Sequence, residues 1–193
     1  IYEGTSEICR LGIAKTILKR SARGELDLAP PLLETPQSVT PEDQGLTVTA
    51  LRAQVDALKS LFRFVLGEIR ATLDDTELLT PARQQFLGSL ADMAMETYLA
   101  ESTVLRVAKL AGQRTAEGGQ IESALARLVF YRASDRMRQE TTEVLAALLS
   151  GDALTAALDR AAGWYPTPAG LVEDRALVTK TLIVRNGALG GPP

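Results

Sequence analysis

The chain contains 193 residues, of which 46% are hydrophobic and 23% are charged, and its formal net charge is −3 at pH 7. This length allows one large domain or two small ones, and the negative charge argues against a general nucleic-acid-binding surface. The sequence has no histidine and a single cysteine, so we expect no metal site and no intramolecular disulfide. It also lacks a signal-peptide pattern and an apolar run of the ~20 residues that cross a bilayer.

The first predicted helix covers residues 5–20. Thr5 or Ser6 can cap its first turn, and Glu7 is favourable at the positive end of the helix dipole. A broad apolar stripe follows, and Gly24 is suited to end the helix. The stripe consists of Ile8, Leu11, Ile13, Ala14, Ile17 and Leu18.

Residues 24–48 differ in composition from the rest of the chain, with four prolines and several acidic residues. Proline interrupts helices, and acidic side chains resist burial, so we predict a linker that is extended or partly disordered. The linker would separate a short segment at 1–23 from a helical domain at 49–193.

Three long helices are predicted next, because apolar residues recur at alternating steps of four and three. The helices run from Thr49, from Thr80–Pro81 to Gly112, and from the Gly118–Gly119 pair to Ser150. Their predicted buried faces comprise Leu51, Val55, Leu58, Phe62, Val65 and Ile69; Phe86, Leu90, Met93, Thr97, Ala100, Val104, Val107 and Ala111; and Phe130, Ala133, Met137, Thr141, Val144 and Leu148.

The last part of the chain predicts a short helix, a corner and a final helix. Asp152 can cap the short helix, which ends before Gly163, and the final helix covers 171–185, before Asn186 and Gly187. Since no segment has a strand pattern, we predict an all-α fold. It is an antiparallel bundle of long helices, preceded by one helix and a Pro-rich linker.

The opening segment at 1–11 has the sequence Ile-Tyr-Glu-Gly-Thr-Ser-Glu-Ile-Cys-Arg-Leu. It resembles the segment of FAD-dependent acyl-CoA dehydrogenases that contains their catalytic glutamate, and the likeness continues through Ala14. The resemblance implies a base, a pocket residue and three cofactor contacts. These are Glu3 as the base that takes the α proton, Gly4 beside the acyl-CoA pocket, and Thr5, Ser6 and Glu7 at FAD.

The residue types suit this chemistry. Dehydrogenation of a thioester needs a base for the α proton, and the chain offers no histidine for that role. A carboxylate in a dry pocket becomes a stronger base because burial raises its pKa. Gly4 allows the backbone to approach a ligand closely, and a helix that starts at Thr5 offers N–H groups to a polar cofactor edge.

The remaining length resembles the C-terminal helical domain of the very-long-chain branch of the same family. That branch implies an acyl-CoA substrate, an electron-accepting flavoprotein partner, assembly as a homodimer or homotetramer, and fatty-acid β-oxidation. It implies a cytoplasmic location in a bacterium or the mitochondrial matrix in a eukaryote. The acidic residues 24–48 argue against membrane attachment, which favours a basic amphipathic helix.

Several residues have a functional and a structural interpretation. Cys9 replaces a polar residue of the family and is either a reactive thiol or a buried structural cysteine, and we favour the second. Residues of three further kinds are expected to be structural: arginines of a solvated and ion-paired helix face, methionines at core positions or next to them, and a packed corner between helices. They are Arg127, Arg132, Arg136 and Arg138; Met93, Met95 and Met137; and Trp164 and Tyr165.

Two functions remain open for the chain. It is either the C-terminal part of a longer acyl-CoA dehydrogenase, inactive alone because the family's β domain is missing, or a non-catalytic helical module for dimerisation or partner binding. The start at Ile1, inside the motif, favours a fragment of a longer protein.

Overall fold

The computed structural model describes residues 6–26, 48–73, 80, 84–111, 116–165 and 170–189. Within these ranges the chain forms helices and no strand, which confirms the all-α prediction. The helices are α1 (Ser6–Ala22), α2 (Val48–Thr72), α3 (Gln84–Ala111), α4 (Ala116–Leu148), α5 (Gly151–Ala162) and α6 (Leu171–Leu189).

The core lies where α2, α3 and α4 pack against one another. The predicted stripes supply it: Leu90 is 1% exposed, and Met93 and Phe130 are equally enclosed. In the α2 stripe only Phe62 is half-buried rather than buried. Because α3 ends at Ala111 and α4 begins at Ala116, these two packed helices run antiparallel.

Helix α1 packs on α3 and shares this core through Ala14 and Leu18. It ends as predicted at Gly24, which adopts φ +69°. The N–H of Gly24 donates to the carbonyl of Ser21 at 3.0 Å, and that of Glu25 to the carbonyl of Arg20 at 3.0 Å. This pair of bonds is a Schellman motif, in which glycine adopts the left-handed conformation without a steric penalty.

The buried face of α1 is narrower than the sequence predicts. Ile8 is 61% exposed and Cys9 is exposed, so the predicted stripe and the buried cysteine were wrong at these two positions. The buried positions are Ala14, Leu18 and Ser21. At 100° per residue, Ile8 and Cys9 lie about 120° and 140° from Ala14, on the opposite side of the helix.

Three helix ends also differ from the predictions. Helix α4 begins at Ala116, so the Gly118–Gly119 pair lies in its first turn, where glycine costs little because few intrahelical bonds form there. Helix α5 follows Ser150 in the N-cap position, and Asp152 lies in the first turn. Helix α6 continues through Asn186 and Gly187 to Leu189, since one interior glycine costs only about 1 kcal/mol.

Two predictions concern residues outside the described ranges. The linker prediction falls mostly on residues 27–47, and the predicted start of α3 depends on Pro81. The proposed division between 1–23 and 49–193 stays a prediction, and the segments on either side of it pack together through α1 and α3.

Candidate active site

Of the five predicted active-site residues, the structure describes Ser6 and Glu7. Glu3, Gly4 and Thr5 are outside the described residues. Ser6 and Glu7 form the first turn of α1, and both are exposed. The structure therefore describes the helical edge of the predicted site and the contacts that hold this edge in place.

The first turn of α1 suits a polar ligand. The first N–H groups of a helix have no acceptor within the helix, and the dipole favours negative charge at that end. Since Ser6 and Glu7 are exposed, this turn is accessible to a group brought by another part of a protein. The motif implies a contact of these residues with a polar edge of FAD, and that assignment stays a prediction.

Arg10 is the residue that ties the first half of α1 to the bundle. Its guanidinium donates from Nη2 to Oδ2 of Asp92 on α3. Arg136 on α4 donates from Nη2 to the same oxygen at 3.0 Å, and it also pairs with Glu140 Oε1 at 2.8 Å. Asp92 thus joins three helices in one chain of ion pairs.

The electrostatics of this chain follow from burial and hydrogen bonding. Asp92 and Glu140 are buried, and each is matched by at least one guanidinium, which offsets the cost of removing a carboxylate from water. The hydrogen bond to Asp92 raises the pKa of Arg136, with a further contribution from Glu140, while desolvation opposes the shift. The Arg136 guanidinium therefore keeps its positive charge over the ordinary pH range.

A groove of about 480 Å³ opens beside this cluster, between α3 and α4. It is lined by Asp92, Met95, Glu96, Arg132, Asp135, Arg136 and Gln139. Three carboxylates face two guanidinium groups, so the groove has no excess of positive charge that would select a phosphate. Of the four arginines of α4 predicted to be structural, Arg127 and Arg136 form ion pairs, and Arg138 lies over the Tyr165 ring. In the described part of the chain, no group of three or more acidic or cysteine side chains is placed to bind a metal.

The far end of the bundle is a packed corner, as predicted. Trp164 is buried with its ring centroid 5.3 Å from that of Phe64, and the Arg160 guanidinium lies 5.0 Å from the Phe64 ring. Burial raises the pKa of Tyr165, and contact with Thr141 and the Arg138 guanidinium at 4.8 Å partly offsets the shift. These aromatic residues serve packing, since they contact one another and the adjacent helices.

Sequence reasoning missed the role of Asp92. The available signal was its position among Leu90, Ala91 and Met93, within a stretch of α3 where the neighbouring residues are buried. A carboxylate in such a stretch is buried only when it is paired, which predicts a basic partner on another helix. The sequence does not say which arginine that partner is.

The chain is similar to known proteins over much of its length. Residues 58–161 match the family model described as "Acyl-CoA dehydrogenase, C-terminal domain". A probable acyl-CoA dehydrogenase of Bacillus subtilis (strain 168) is 29% identical over 157 residues, which cover 80% of this chain and 26% of that protein.

A solved structure has the same fold. It is the acyl-CoA dehydrogenase of Bacillus anthracis in complex with FAD, with a TM-score of 0.81 and 23% sequence identity. The match covers 96% of this chain and 31% of the other. The chain therefore spans about a quarter to a third of the length of these relatives. In the described residues, no helix is long and apolar enough to span a membrane.

Proposed function

Because the chain belongs to the acyl-CoA dehydrogenase family, we propose that it is the C-terminal part of an FAD-dependent enzyme. The enzyme would remove two hydrogens from an acyl-CoA thioester and produce a 2-enoyl-CoA. The family match to α2–α5 supports the proposal, together with the packing of α1 against that region. Helix α1 begins within the Glu-Gly-Thr-Ser-Glu segment at 3–7, in which the catalytic residues are proposed.

The residues of this segment have separate roles in the proposed reaction. The carboxylate of Glu3 takes the α proton of the thioester, and the electrons of that bond form the new double bond as the β hydrogen leaves. FAD, when bound, accepts that hydrogen as a hydride. Gly4 allows the acyl chain to approach the backbone. Thr5, Ser6 and Glu7 hold a polar edge of the cofactor at the first turn of α1.

The same proposal extends to the partners of the whole protein. The reduced flavin must pass its electrons to an acceptor, for which a second flavoprotein is proposed. Assembly as a homodimer or homotetramer is proposed as well, with fatty-acid β-oxidation as the setting and the bacterial cytoplasm or mitochondrial matrix as the location.

A second candidate function is an assembly module without chemistry. Helix α6 supports it, since Val172, Leu182, Ile183 and Val184 are exposed. Exposed apolar patches of this kind mark surfaces that another protein covers. The two candidates differ in whether the Glu3 carboxylate is needed for any activity of the natural-length protein.

The test is anaerobic reduction of the flavin by acyl-CoA, followed by stopped-flow absorbance in the protein at its natural length. Glu3→Gln is expected to lower the reduction rate by about 10⁴-fold or more and to keep the FAD content, since the amide retains the shape but accepts no proton. The reduction rate of Glu3→Asp is expected to lie between those of the unmutated protein and Glu3→Gln, because the substitution retracts the carboxylate by one methylene.

Glu25→Gln is the matched control, because Glu25 is an exposed carboxylate at the opposite end of α1, where it pairs with Arg20 at 3.0 Å. It should reduce the flavin at the unmutated rate. Reduction of Glu3→Gln at that same rate would contradict the proposed base.

A further inference from the structure

The described start of α1, before Arg10, is exposed to solvent. Residues 6–9 are all exposed, and the buried side chains of α1 begin at Ala14. Arg10 is the first residue of the helix that is not exposed, and its side chain is 32% exposed against 11% for Asp92. The pair Arg10–Asp92 therefore links α1 to α3 at a position three residues after the 3–7 segment.

The surface of α3 at Gly88 and Asp92 forms the binding site of the Arg10 guanidinium. Gly88 and Asp92 are four residues apart on α3, on one face of the helix. A Cβ at Gly88 would lie 3.3 Å from Arg10 Nη2, so the guanidinium lies close against the α3 backbone. On the other side, Arg136 binds Asp92 Oδ2 and is itself held by Glu140. These contacts fix the orientation of the Asp92 carboxylate independently of Arg10.

The length of α1 makes this contact important for the residues before it. Ser6 lies about 12 Å along the helix axis from Ala14, the first buried residue. A tilt of about 5° around Ala14 would therefore move the start of the helix by about 1 Å. Displacements of that size at a reacting group reduce rates strongly, by up to about 10²-fold.

From these contacts we propose that Asp92 is a positioning residue for the catalytic segment. By holding Arg10, it fixes the tilt of α1 and hence the place of Glu3, seven residues earlier, relative to substrate and flavin. This inference rests on the proposed function. It goes beyond that function by assigning a role in catalysis to an ion pair between α1 and α3 of the C-terminal bundle.

The first experiment measures the limiting rate of flavin reduction and the apparent acyl-CoA dissociation constant in the natural-length protein. Asp92→Asn is expected to lower the limiting rate about 10-fold or more, with the dissociation constant changed by no more than about threefold, since most of the substrate surface is bound elsewhere. Asp92→Glu should recover part of the rate because it restores the charge. A loss of folding stability alone would not lower the limiting rate while leaving the dissociation constant nearly unchanged.

The matched control is Glu101→Gln. It removes the pair between Lys59 Nζ and Glu101 Oε1 at 2.5 Å, which joins α2 to α3 and does not involve α1. We expect the unmutated rate from this variant. Hydrogen exchange provides a second readout: Asp92→Asn should raise exchange in residues 6–13 selectively, and Glu101→Gln should not.

Arg10→Gln decides the matter if Asp92→Asn fails to fold, because it leaves the Asp92–Arg136–Glu140 contacts in place. It should show the same loss of rate and the same local rise in exchange. Unmutated rates in Arg10→Gln and Asp92→Asn, in a protein whose flavin reduction depends on Glu3, would overturn this inference alone. Absence of flavin reduction by the unmutated protein, or reduction by Glu3→Gln at the unmutated rate, would overturn the proposed function and this inference with it.

Discussion

Helices α1 and α6 flank the bundle, and each is joined to it by an arginine–aspartate pair. In α1 the pair is Arg10–Asp92, and Ala14 and Leu18 of the same helix lie in the core. In α6 the pair links Asp174 to Arg127 of α4, through both the Nε and Nη2 of the arginine. Among its described side chains, those of residues 171–184, α6 has no apolar residue in the buried core.

This difference shows that one chemical contact serves two purposes. Where apolar residues already dock a helix, as in α1, an ion pair adds little affinity and instead sets orientation. Where they do not, as in α6, the ion pair is the main buried contact: Asp174 is the buried residue of that helix, with its side chain 5% exposed. Three experiments test this comparison, from the largest expected effect to the smallest.

The largest effect is expected from Leu90→Asp, which would remove the support that both flanking helices share. Leu90 lies in the core between the long helices, so an unpaired carboxylate there costs several kcal/mol or more. We expect no cooperative thermal transition by circular dichroism. Leu99→Asp on the same helix is the control, because Leu99 is 42% exposed and should leave the melting temperature nearly unchanged. Equal melting of Leu90→Asp and the unmutated protein would show that Leu90 is not a core residue.

A smaller effect, confined to α6, is expected from Asp174→Asn. The variant leaves the Arg127 guanidinium without its bidentate carboxylate, which costs about 3 kcal/mol for a pair buried on one side. Hydrogen exchange should rise in residues 171–184 and stay low in α1. Glu173→Gln, at the exposed neighbouring position, should leave exchange as it is. If Asp174→Asn left α6 protected, the helix would be docked by contacts other than this pair.

The smallest effect is expected from alanine substitutions at two glycines that lie inside helices. A Cβ at Gly67 of α2 would meet nothing within 4 Å, so Gly67→Ala should stabilise the protein by about 0.5–1 kcal/mol through helix propensity. Gly88→Ala gains the same propensity but crowds Arg10 Nη2 at 3.3 Å, so its net gain should be lower. Chemical denaturation of both variants gives the comparison. Equal gains in the free energy of unfolding would mean that the Arg10 guanidinium moves away from position 88 without an energetic cost. Its contact with α3 would then not be closely packed.

The sequence predicted the three long helices because their apolar residues recur with helical period. The structure buries most of those whose side chains it describes, and Phe62 and Leu148 are half-buried. The same reasoning failed at Ile8 and Cys9. The apolar residues of α1 spread over a wide arc, and only the contact with α3 selects the face that is buried. Apolar periodicity is a property of a single helix, whereas the face that is buried depends also on the helix that packs against it.

The ion pairs were beyond the reach of sequence reasoning for a related reason. Arg10 and Asp92 are 82 positions apart, and no local pattern links them. The catalytic segment was identified by its resemblance to a family, and the structure describes Ser6 and Glu7 at its edge. Which arginine meets which carboxylate depends on the arrangement of helices in space.

The outward position of Cys9 makes α1 suitable for site-specific labelling. Cys9 is the single cysteine of the chain, and it lies on the side of α1 that faces away from the core. Within this chain, a maleimide fluorophore or a nitroxide spin label would therefore attach at one defined place, one residue before Arg10. Its emission or spectral line shape would report the tilt of α1 relative to the bundle.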